Sequence, residues 1–440
     1  MKPQSNMATG KRGTRFGSLL VLAILAPVAG AAAGLVGAIF RLTLAEADRF
    51  RTSVIAANHE HGLIGLVVVI GGCAAAVAFA AWLVRRFSPY ASGSGIPHVE
   101  AALSEEVPPA PPGLVPVKFV GGVLAIGSGL ALGREGPSVQ MGAAIAHVVG
   151  AVFRRGWADR RVLLAAGAGA GLATAFNAPI AGAVFVLEEL VRRFEAHIAI
   201  AALGASAAAI AVARALLGAA PDFSVEPLAY MGVRTWPLFV ALGAAAGLVA
   251  TFYNAALLGI LAAMDRLDHW PVELRGAVIG ATVGALGWLA PGLVGGGDDI
   301  TQHALAGGAM IVPLMLAFVL RFALGAVSYA AATPGGLFAP LLVLGAQLGL
   351  LFAVLCRLAF PELGLDPPAF AVVGMAAFFT GLVQAPVTGI VLATEMTAAF
   401  TTLLPMLAAC FAAMVTVNLL GIAPIYDSLR ERVVKTTRSS

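Results

Sequence analysis

The chain has 440 residues, of which 60% are hydrophobic and only 11% are charged, and its formal net charge is +4. Its mean hydropathy is +0.92. Because soluble domains carry about 25% charged residues, this composition excludes an ordinary soluble protein and predicts that the lipid bilayer surrounds most of the chain.

Basic residues are concentrated at the two ends of the apolar sequence. They are Lys2, Lys11, Arg12 and Arg15 before the first apolar run, and Arg430, Arg432, Lys435 and Arg438 after the last. Because basic flanks stay on the cytoplasmic side of a membrane, we expect a multi-pass protein of the inner cell membrane with both termini cytoplasmic. A nucleic-acid-binding tail is the alternative, but each cluster adjoins an apolar run, so no nucleic-acid partner is expected.

Apolar runs in chain order predict an all-α, polytopic membrane protein. The clear runs are 18–40, 63–84, 162–187, 196–218, 236–263, 276–291, 310–332, 337–356, 369–394 and 403–422. Other runs, such as 117–132, fall short of the roughly 20 residues that cross a bilayer. A helix that stops inside a membrane leaves backbone groups unpaired unless they line a cavity or bind a ligand. Short, interrupted helices therefore favour a transport pathway over a passive anchor.

The two halves of the sequence resemble each other. Asn177–Gly182 (NAPIAG) recurs as Gln384–Gly389 (QAPVTG), with the prolines offset by 207 positions, and the same offset separates Glu188 from Glu395. Shared membrane composition is the alternative explanation, but a second matching pair of motifs in the same order argues against it. A duplicated unit with an odd number of crossings inserts with inverted topology and holds its substrate near the bilayer midplane.

The second pair of motifs is Gly133–Pro137 (GREGP) and Gly336–Pro340 (GLFAP), 203 residues apart. With the hydrophilic stretch around 219–235 as the joint and the basic residues at both ends, the repeat predicts five segments. These are a cytoplasmic basic N-terminus at 1–16, a first membrane repeat at 17–218, a linker at 219–235, a second membrane repeat at 236–429 and a cytoplasmic basic tail at 430–440.

A turn-rich segment, Ser92–Pro97 (SGSGIP), precedes a predicted helix. Its glycines let the backbone approach a ligand, the Ser94 hydroxyl can donate a hydrogen bond, and Pro97 suits the first turn of a helix. A small anion would meet free N–H groups and the positive end of the helix dipole there. Taken alone, the same pattern is typical of a plain loop.

The GREGP motif places Arg134 and Glu135 inside apolar sequence. A charge near mid-bilayer costs about 2.5–3.5 kcal/mol on insertion scales, so such residues need a partner or a function. Because Glu135 stands at the predicted helix start, we hypothesise that its carboxylate competes with an anion when ionised and leaves when protonated. A structural Arg134–Glu135 pair is the alternative. The repeat-related GLFAP motif offers the backbone N–H groups of Leu337 and Phe338 at another predicted helix start, without a competing carboxylate. The alternative is that GLFAP forms an ordinary turn.

Glu188 and Glu189 close an otherwise apolar predicted helix, 178–187. Adjacent helical residues point about 100° apart, so only one of them can face a given pathway. Burial disfavours the charged form of a carboxylate, which suits a proton carrier. The alternative is pairing at spacing i,i+4, Glu188 with Arg192 and Glu189 with Arg193.

Few other side chains suggest chemistry. Tyr426, after the last apolar run, could donate to an anion, although interface tyrosines are common at such positions. His59-Glu60-His61 lacks the spacing of a zinc motif, and Cys73, Cys356 and Cys410 lie apart in apolar runs. We therefore expect no metal and no cofactor, and the absence of a nucleophile motif disfavours an enzyme.

Taken together, GSGIP, GREGP, the segment Asn177–Glu189, GLFAP and the terminal tyrosine resemble the CLC family of chloride channels and chloride/proton antiporters. The motifs occur in the family's order from residue 93 to residue 426, so the resemblance covers most of the chain. It implies about 18 helices of uneven length in two inverted repeats, with broken helices meeting at a midplane anion site. It also implies a homodimer in which each subunit has its own pathway.

The resemblance implies a role for each matching residue. Ser94 and Tyr426 would contact chloride through their hydroxyls, and Leu337 and Phe338 through backbone N–H groups. Glu135 resembles the external gating glutamate and Glu189 the internal proton glutamate, with Glu188 beside it on the inner proton route. Lys118 resembles a lysine near the pathway.

Details within the resemblance select among the family's activities. Channel members lack the internal glutamate, so Glu189 favours secondary active H⁺/Cl⁻ antiport over a passive gated chloride channel, which is the alternative. Nitrate-preferring relatives carry proline at the position of Ser94, and the fluoride-exporting branch replaces GSGIP and GREGP. Chloride and protons are therefore the expected substrates.

Overall fold

The computed structural model describes residues 6–228, 232–308 and 310–439, and side chains from residue 19 to residue 437 within those ranges. The described chain is helical, and its only strand-like pairings are two isolated bridges. Its first eight α-helices are α1 Asn6–His59, α2 Gly62–Phe87, α3 Ile96–Leu103, α4 Leu114–Gly127, α5 Glu135–Val152, α6 Trp157–Phe176, α7 Pro179–Phe185 and α8 Ala196–Leu217. The remaining nine are α9 Trp236–Asp265, α10 Val272–Leu289, α11 Asp298–Leu305, α12 Ile311–Tyr329, α13 Phe338–Ala359, α14 Pro367–Val383, α15 Pro386–Thr397, α16 Leu403–Leu419 and α17 Ile425–Ser439.

Within the described ranges, eight segments are helical, long and apolar enough to cross a membrane. They are carried by α1, α2, α8, α9, α10, α12, α13 and α16. The other helices are shorter or more polar, and α4 and α14 are apolar helices of fewer than 18 residues. The predicted polytopic all-α fold of uneven helices is thus confirmed.

Two of the predicted apolar runs are each divided into two helices. Run 162–187 breaks after α6 at Asn177 (φ +50°), and run 369–394 breaks after α14 at Gln384 (φ +63°). A left-handed residue ends a helix, and a proline two residues later, Pro179 or Pro386, begins the next one. The repeated NAPIAG and QAPVTG motifs are therefore helix breaks, and the helix predicted at 178–187 is a separate element, α7.

The basic ends are described only in part. Lys2 and the side chains of Lys11, Arg12, Arg15 and Arg438 lie outside the described residues. In the tail, which is helical as α17, the Arg432 guanidinium lies 2.7 Å from Asp265. Helix α17 also packs against α3, which brings the C-terminal helix to the GSGIP segment.

Helices α5–α8 and α13–α16 repeat the same packing order. Helix α5 packs on α6 and α13 packs on α14. At both contacts the backbones touch through glycine: a Cβ on Gly142 would strike the Gly167 carbonyl, and a Cβ on Gly345 would strike the Gly374 carbonyl. Small residues allow such close approach of membrane helices, so the repeat preserves a packing contact as well as a sequence motif.

Candidate functional site

Three sequence motifs meet through backbone hydrogen bonds. The Gly93 N–H donates to the Thr333 carbonyl (3.0 Å) and the Gly335 N–H donates to the Gly93 carbonyl (3.1 Å). The Gly133 and Gly336 backbones bond to each other in both directions, at 2.9 and 2.7 Å. GSGIP, GREGP and GLFAP are therefore adjacent in space, immediately before α3, α5 and α13.

These segments bring the start of one helix against the next. Gly95, with φ +84°, stands at the N-terminal boundary of α3, and a Cβ on Gly136 in the first turn of α5 would strike Ser94. The starts of α5 and α13 adjoin through the Gly133–Gly336 bridge. Helix starts present unpaired N–H groups and positive partial charge, so their meeting point suits an anion.

The Glu135 carboxylate lies at this meeting point. Its Oε1 accepts a hydrogen bond of 2.6 Å from the Phe338 N–H at the start of α13. The side chain is fully buried, and Oε2 has no hydrogen-bond partner in the described part of the chain. A Cβ on Gly336 would strike the carboxylate. A carboxylate thus occupies the position where a helix start would bind an anion.

Two buried hydroxyls lie beside the carboxylate. Ser94 Oγ and Tyr426 Oη are shielded from solvent, and neither has a partner in hydrogen-bond geometry among the described residues. Tyr426 interacts electrostatically with Glu135 and Glu189 and its hydroxyl neighbours that of Ser94, and its ring packs against Phe338 with centroids 5.7 Å apart. Both hydroxyls are thus available to donate to a bound anion. Leu337, also buried, stands at the N-terminal boundary of α13.

Lys118 holds the loop that carries this site. Its buried ammonium donates to the carbonyls of Ala91 (3.0 Å) and Gly93 (2.8 Å). The predicted lysine near the pathway therefore contacts the GSGIP backbone directly, where it fixes the approach to α3.

Glu189 is buried in a π-helical turn, Val186–Leu190, that follows α7. Its Oε1 lies 3.5 Å from the Arg192 guanidinium, which also pairs with Asp427 at 2.7 Å. The observed ion pair is thus Glu189–Arg192 at spacing i,i+3, in place of the i,i+4 pair considered from the sequence. A cavity of about 520 Å³ is lined by Glu188, Glu189 and Arg192, so this carboxylate lies near an aqueous opening.

Sequence reasoning missed Glu100. This residue lies in α3, is 2% exposed, and neither of its carboxylate oxygens has a hydrogen-bond partner in the range described. Glu100 and Glu189 interact with each other and with Arg192 and Asp427. An acidic residue within the short apolar stretch after GSGIP was the available signal, but its partner is far away in sequence.

The structure places Glu188 at the start of another helix. Its carboxylate accepts hydrogen bonds from the N–H groups of Val387 (3.0 Å) and Thr388 (2.6 Å) and from the Thr388 hydroxyl (2.7 Å). The repeat-related Glu395 accepts from the N–H groups of Ile180 (3.1 Å) and Ala181 (2.8 Å). Glu188, in the turn that follows α7, binds the N-terminal turn of α15, and Glu395, within α15, binds the N-terminal turn of α7. The two helices therefore run antiparallel. The Glu188–Arg192 pair considered from the sequence is replaced by this contact.

Arg134 does not form the structural pair with Glu135 that the sequence left open. Its guanidinium binds Asp222 and Asp298, each at 2.9 Å, and its Nε donates to the Ala175 carbonyl at 2.9 Å. It lines a cavity of about 440 Å³, together with Gly133. We call this the Glu135-side cavity.

This fold and site define a membrane transport protein, and the chain belongs to the family described as voltage gated chloride channel, which it matches over residues 76–418. Predicted membership of the CLC family is thus confirmed.

The chain is similar to H(+)/Cl(-) exchange transporters named ClcA. It is 37% identical to the one from Salmonella typhi over 94% of this chain and 89% of the relative, and 36% identical to the one from Salmonella arizonae over the same shares. Among solved structures it is similar to a slow cyanobacterial Cl⁻/H⁺ antiporter, with TM-score 0.89, 31% identity, and coverage of 94% of this chain and 98% of that one. A eukaryotic CLC transporter shares the fold, with TM-score 0.80 at 23% identity, over 95% of this chain and 74% of that one.

Proposed function

We propose that this protein moves chloride across the membrane in exchange for protons. The observation that carries the proposal is the Glu135 carboxylate on the Phe338 N–H at the start of α13. A titratable group bound at an anion site couples the two substrates, because the carboxylate binds there when ionised and leaves when a proton neutralises it. The resemblance to proteins named H(+)/Cl(-) exchange transporters supports the same conclusion.

Chloride would bind at the point where α3, α5 and α13 begin. The backbone N–H groups of Leu337 and Phe338 would hold it together with the buried hydroxyls of Ser94 and Tyr426, for which the described chain offers no partner in hydrogen-bond geometry. Neutral donors at helix starts bind an anion without the strong attraction of a buried cation. The ion can therefore leave again, as transport requires.

The proton would reach Glu135 from Glu189. Tyr426 interacts with both carboxylates, which supports a role for it between the chloride and proton parts of the route. Glu189 and Glu100 are neighbouring buried carboxyl groups, and like charges so close favour a state in which one of them holds a proton. The cavity beside Glu188 and Glu189 would open this route to water. Glu188, which also binds α15, would take part in proton transfer at the edge of that cavity.

A passive, gated chloride channel on the same fold is the second candidate. It would need the chloride site and Glu135 but no internal proton carrier. The burial of Glu189 next to Glu100, beside a cavity, favours the antiporter. No covalent reaction belongs to either mechanism, so the protein is proposed to be a transporter and not an enzyme.

The proposed assembly follows from the family fold. Segments 17–218 and 236–429 would form the two inverted membrane repeats, joined by 219–235. The ends at 1–16 and 430–440 would lie in the cytoplasm and the helices in the inner membrane. Two copies would form a homodimer in the lipid bilayer, each with its own pathway.

Paired flux measurements test this function. Purified protein is reconstituted into liposomes, a chloride gradient is imposed, and external chloride and pH are recorded together. Uphill proton movement driven by chloride is the expected result. Chloride flux without proton movement would establish the channel in place of the antiporter. If neither ion moved with protein shown to be folded, the proposed substrates would be wrong.

A further inference from the structure

Charges alternate beside the Glu135-side cavity, which Arg41, Arg134 and Asp298 line. The Arg41 guanidinium lies 2.7 Å from Asp222, which also binds Arg134 at 2.9 Å, and Arg134 in turn binds Asp298 at 2.9 Å. We call these four residues the Arg–Asp cluster. Equal numbers of positive and negative charges leave it with no net attraction for an anion, although a positively lined mouth would raise the local anion concentration.

Members of the Arg–Asp cluster differ in how firmly they are held. The Asp222 side chain is 6% exposed and binds two arginines, whereas the Asp298 side chain is 54% exposed and, among the described side chains, forms one ion pair, with Arg134. Arg134 directly precedes Glu135 and interacts with it electrostatically. Asp298 is therefore the most exposed member of the cluster, and it binds the arginine that directly precedes Glu135.

The loop that presents Asp298 is rigidly supported. A buried arginine, Arg321, donates hydrogen bonds to the carbonyls of Leu293 (3.2 Å), Gly295 (2.8 Å) and Gly296 (3.1 Å). The Gly295 N–H also donates to the Gly129 carbonyl at 2.7 Å. These contacts fix the backbone just before α11, so the position of Asp298 opposite Arg134 is a built feature of the fold.

From this geometry we propose that Asp298 sets the rate at which chloride enters from the Glu135 side. Its carboxylate takes the place on Arg134 that an approaching chloride would take, so the ion meets a neutralised arginine. Removal of the carboxylate exposes that positive charge next to Glu135 while Asp222 keeps the guanidinium in position. The inference rests on the proposed chloride transport and adds a residue that determines its rate.

Asp298→Asn tests the proposal, because asparagine keeps the side-chain shape and suits a helix start. Asp299→Asn is the matched control, since Asp299 lines the same cavity, is exposed, and loses the same charge. Initial chloride fluxes in liposomes are measured against chloride concentration at about 0.02 M and about 0.3 M ionic strength, set with an impermeant salt, because screening distinguishes attraction at a distance from contact chemistry.

For Asp298→Asn we expect kcat/KM for chloride to rise about threefold at low ionic strength, with kcat little changed, as for the loss of one partly exposed ion pair. The rise should shrink at the higher ionic strength. Asp299→Asn should change kcat/KM by less than half as much. Asp298→Glu, which restores the carboxylate, should resemble the wild type, and Asp298→Ser, a second neutral variant, should match Asp298→Asn.

Three results would overturn the proposal: an unchanged or lower kcat/KM in both neutral variants, an equal gain in Asp299→Asn, or a gain that Asp298→Glu shares. Each of these would leave the proposed antiport intact as long as the wild type exchanges chloride for protons. A folded wild type that carries no chloride would instead overturn the proposed function itself, and the inference with it.

Discussion

Two pairs of repeat-related helix starts use carboxylates differently. At α7 and α15, both copies of the repeat supply a glutamate, Glu395 and Glu188, that binds the N-terminal turn of the opposite helix. At α5 and α13, only the first copy supplies one, Glu135, and the second copy supplies the N–H groups that it binds. Where duplication kept the chemistry symmetric, the contact joins two helices. Where the symmetry is broken, one site holds a group that a substrate can replace.

The largest effect is expected where the symmetry is broken. Glu135→Gln removes the titratable group at the chloride site, so chloride-driven proton movement should fall to the background of protein-free liposomes. Chloride flux should persist, because the helix starts and hydroxyls remain. The measurement is paired chloride and pH recording. Glu362→Gln, in an exposed turn, is the control, and normal proton coupling in Glu135→Gln would refute the role of Glu135.

Glu189→Gln should uncouple proton movement from chloride movement at the inner end of the proton route. The neutral amide keeps the size of the buried side chain but cannot accept and release a proton, so proton movement should stop while chloride flux continues. The same paired recording tests it. If the variant moves protons at the wild-type rate, Glu189 is not the internal carrier, and Glu100, buried beside it, becomes the candidate.

The features of this site that the sequence predicted are those that depend on residues close together in the chain. Helix starts were predictable, since glycine and proline act locally, and GSGIP, GREGP and GLFAP do precede α3, α5 and α13. The partners of Arg134 were not, because Asp222 and Asp298 lie 88 and 164 residues away in the chain. Likewise, Glu188 reaches Thr388 across 200 residues. Such pairings depend on tertiary packing, which the sequence shows only through the repeat.

The symmetric pair predicts matched effects on stability. A carboxylate that binds the first turn of a helix stabilises it by about 1 kcal/mol, with a range of about 0.5–2 kcal/mol. Glu188→Gln and Glu395→Gln should therefore lower the thermal midpoint of the detergent-solubilised protein by similar amounts. The midpoint is measured by tryptophan fluorescence, with Glu362→Gln as the control. A large loss for one glutamate alone would contradict their equivalence.

Transport then distinguishes the two glutamates. If Glu188 contributes to the inner proton route in addition to binding α15, Glu188→Gln should slow proton movement, whereas Glu395→Gln should leave the ratio of protons to chloride unchanged. Paired flux on both variants measures this difference directly. Equal ratios would restrict Glu188 to its structural contact.

The smallest effect is expected for the Tyr426 hydroxyl. Tyr426→Phe keeps the ring that packs on Phe338 and removes one of several donors to chloride, and one hydrogen bond contributes about 0.5–1.5 kcal/mol net. Chloride affinity, measured by titration calorimetry, should fall about two- to tenfold. Proton coupling should persist, because both Glu135 and Glu189 remain. Ser94→Ala removes the neighbouring hydroxyl and should give a loss of similar size. If both variants bind chloride as tightly as the wild type, the anion is held by the helix-start N–H groups alone, and the broken symmetry at α5 and α13 would be sufficient for binding.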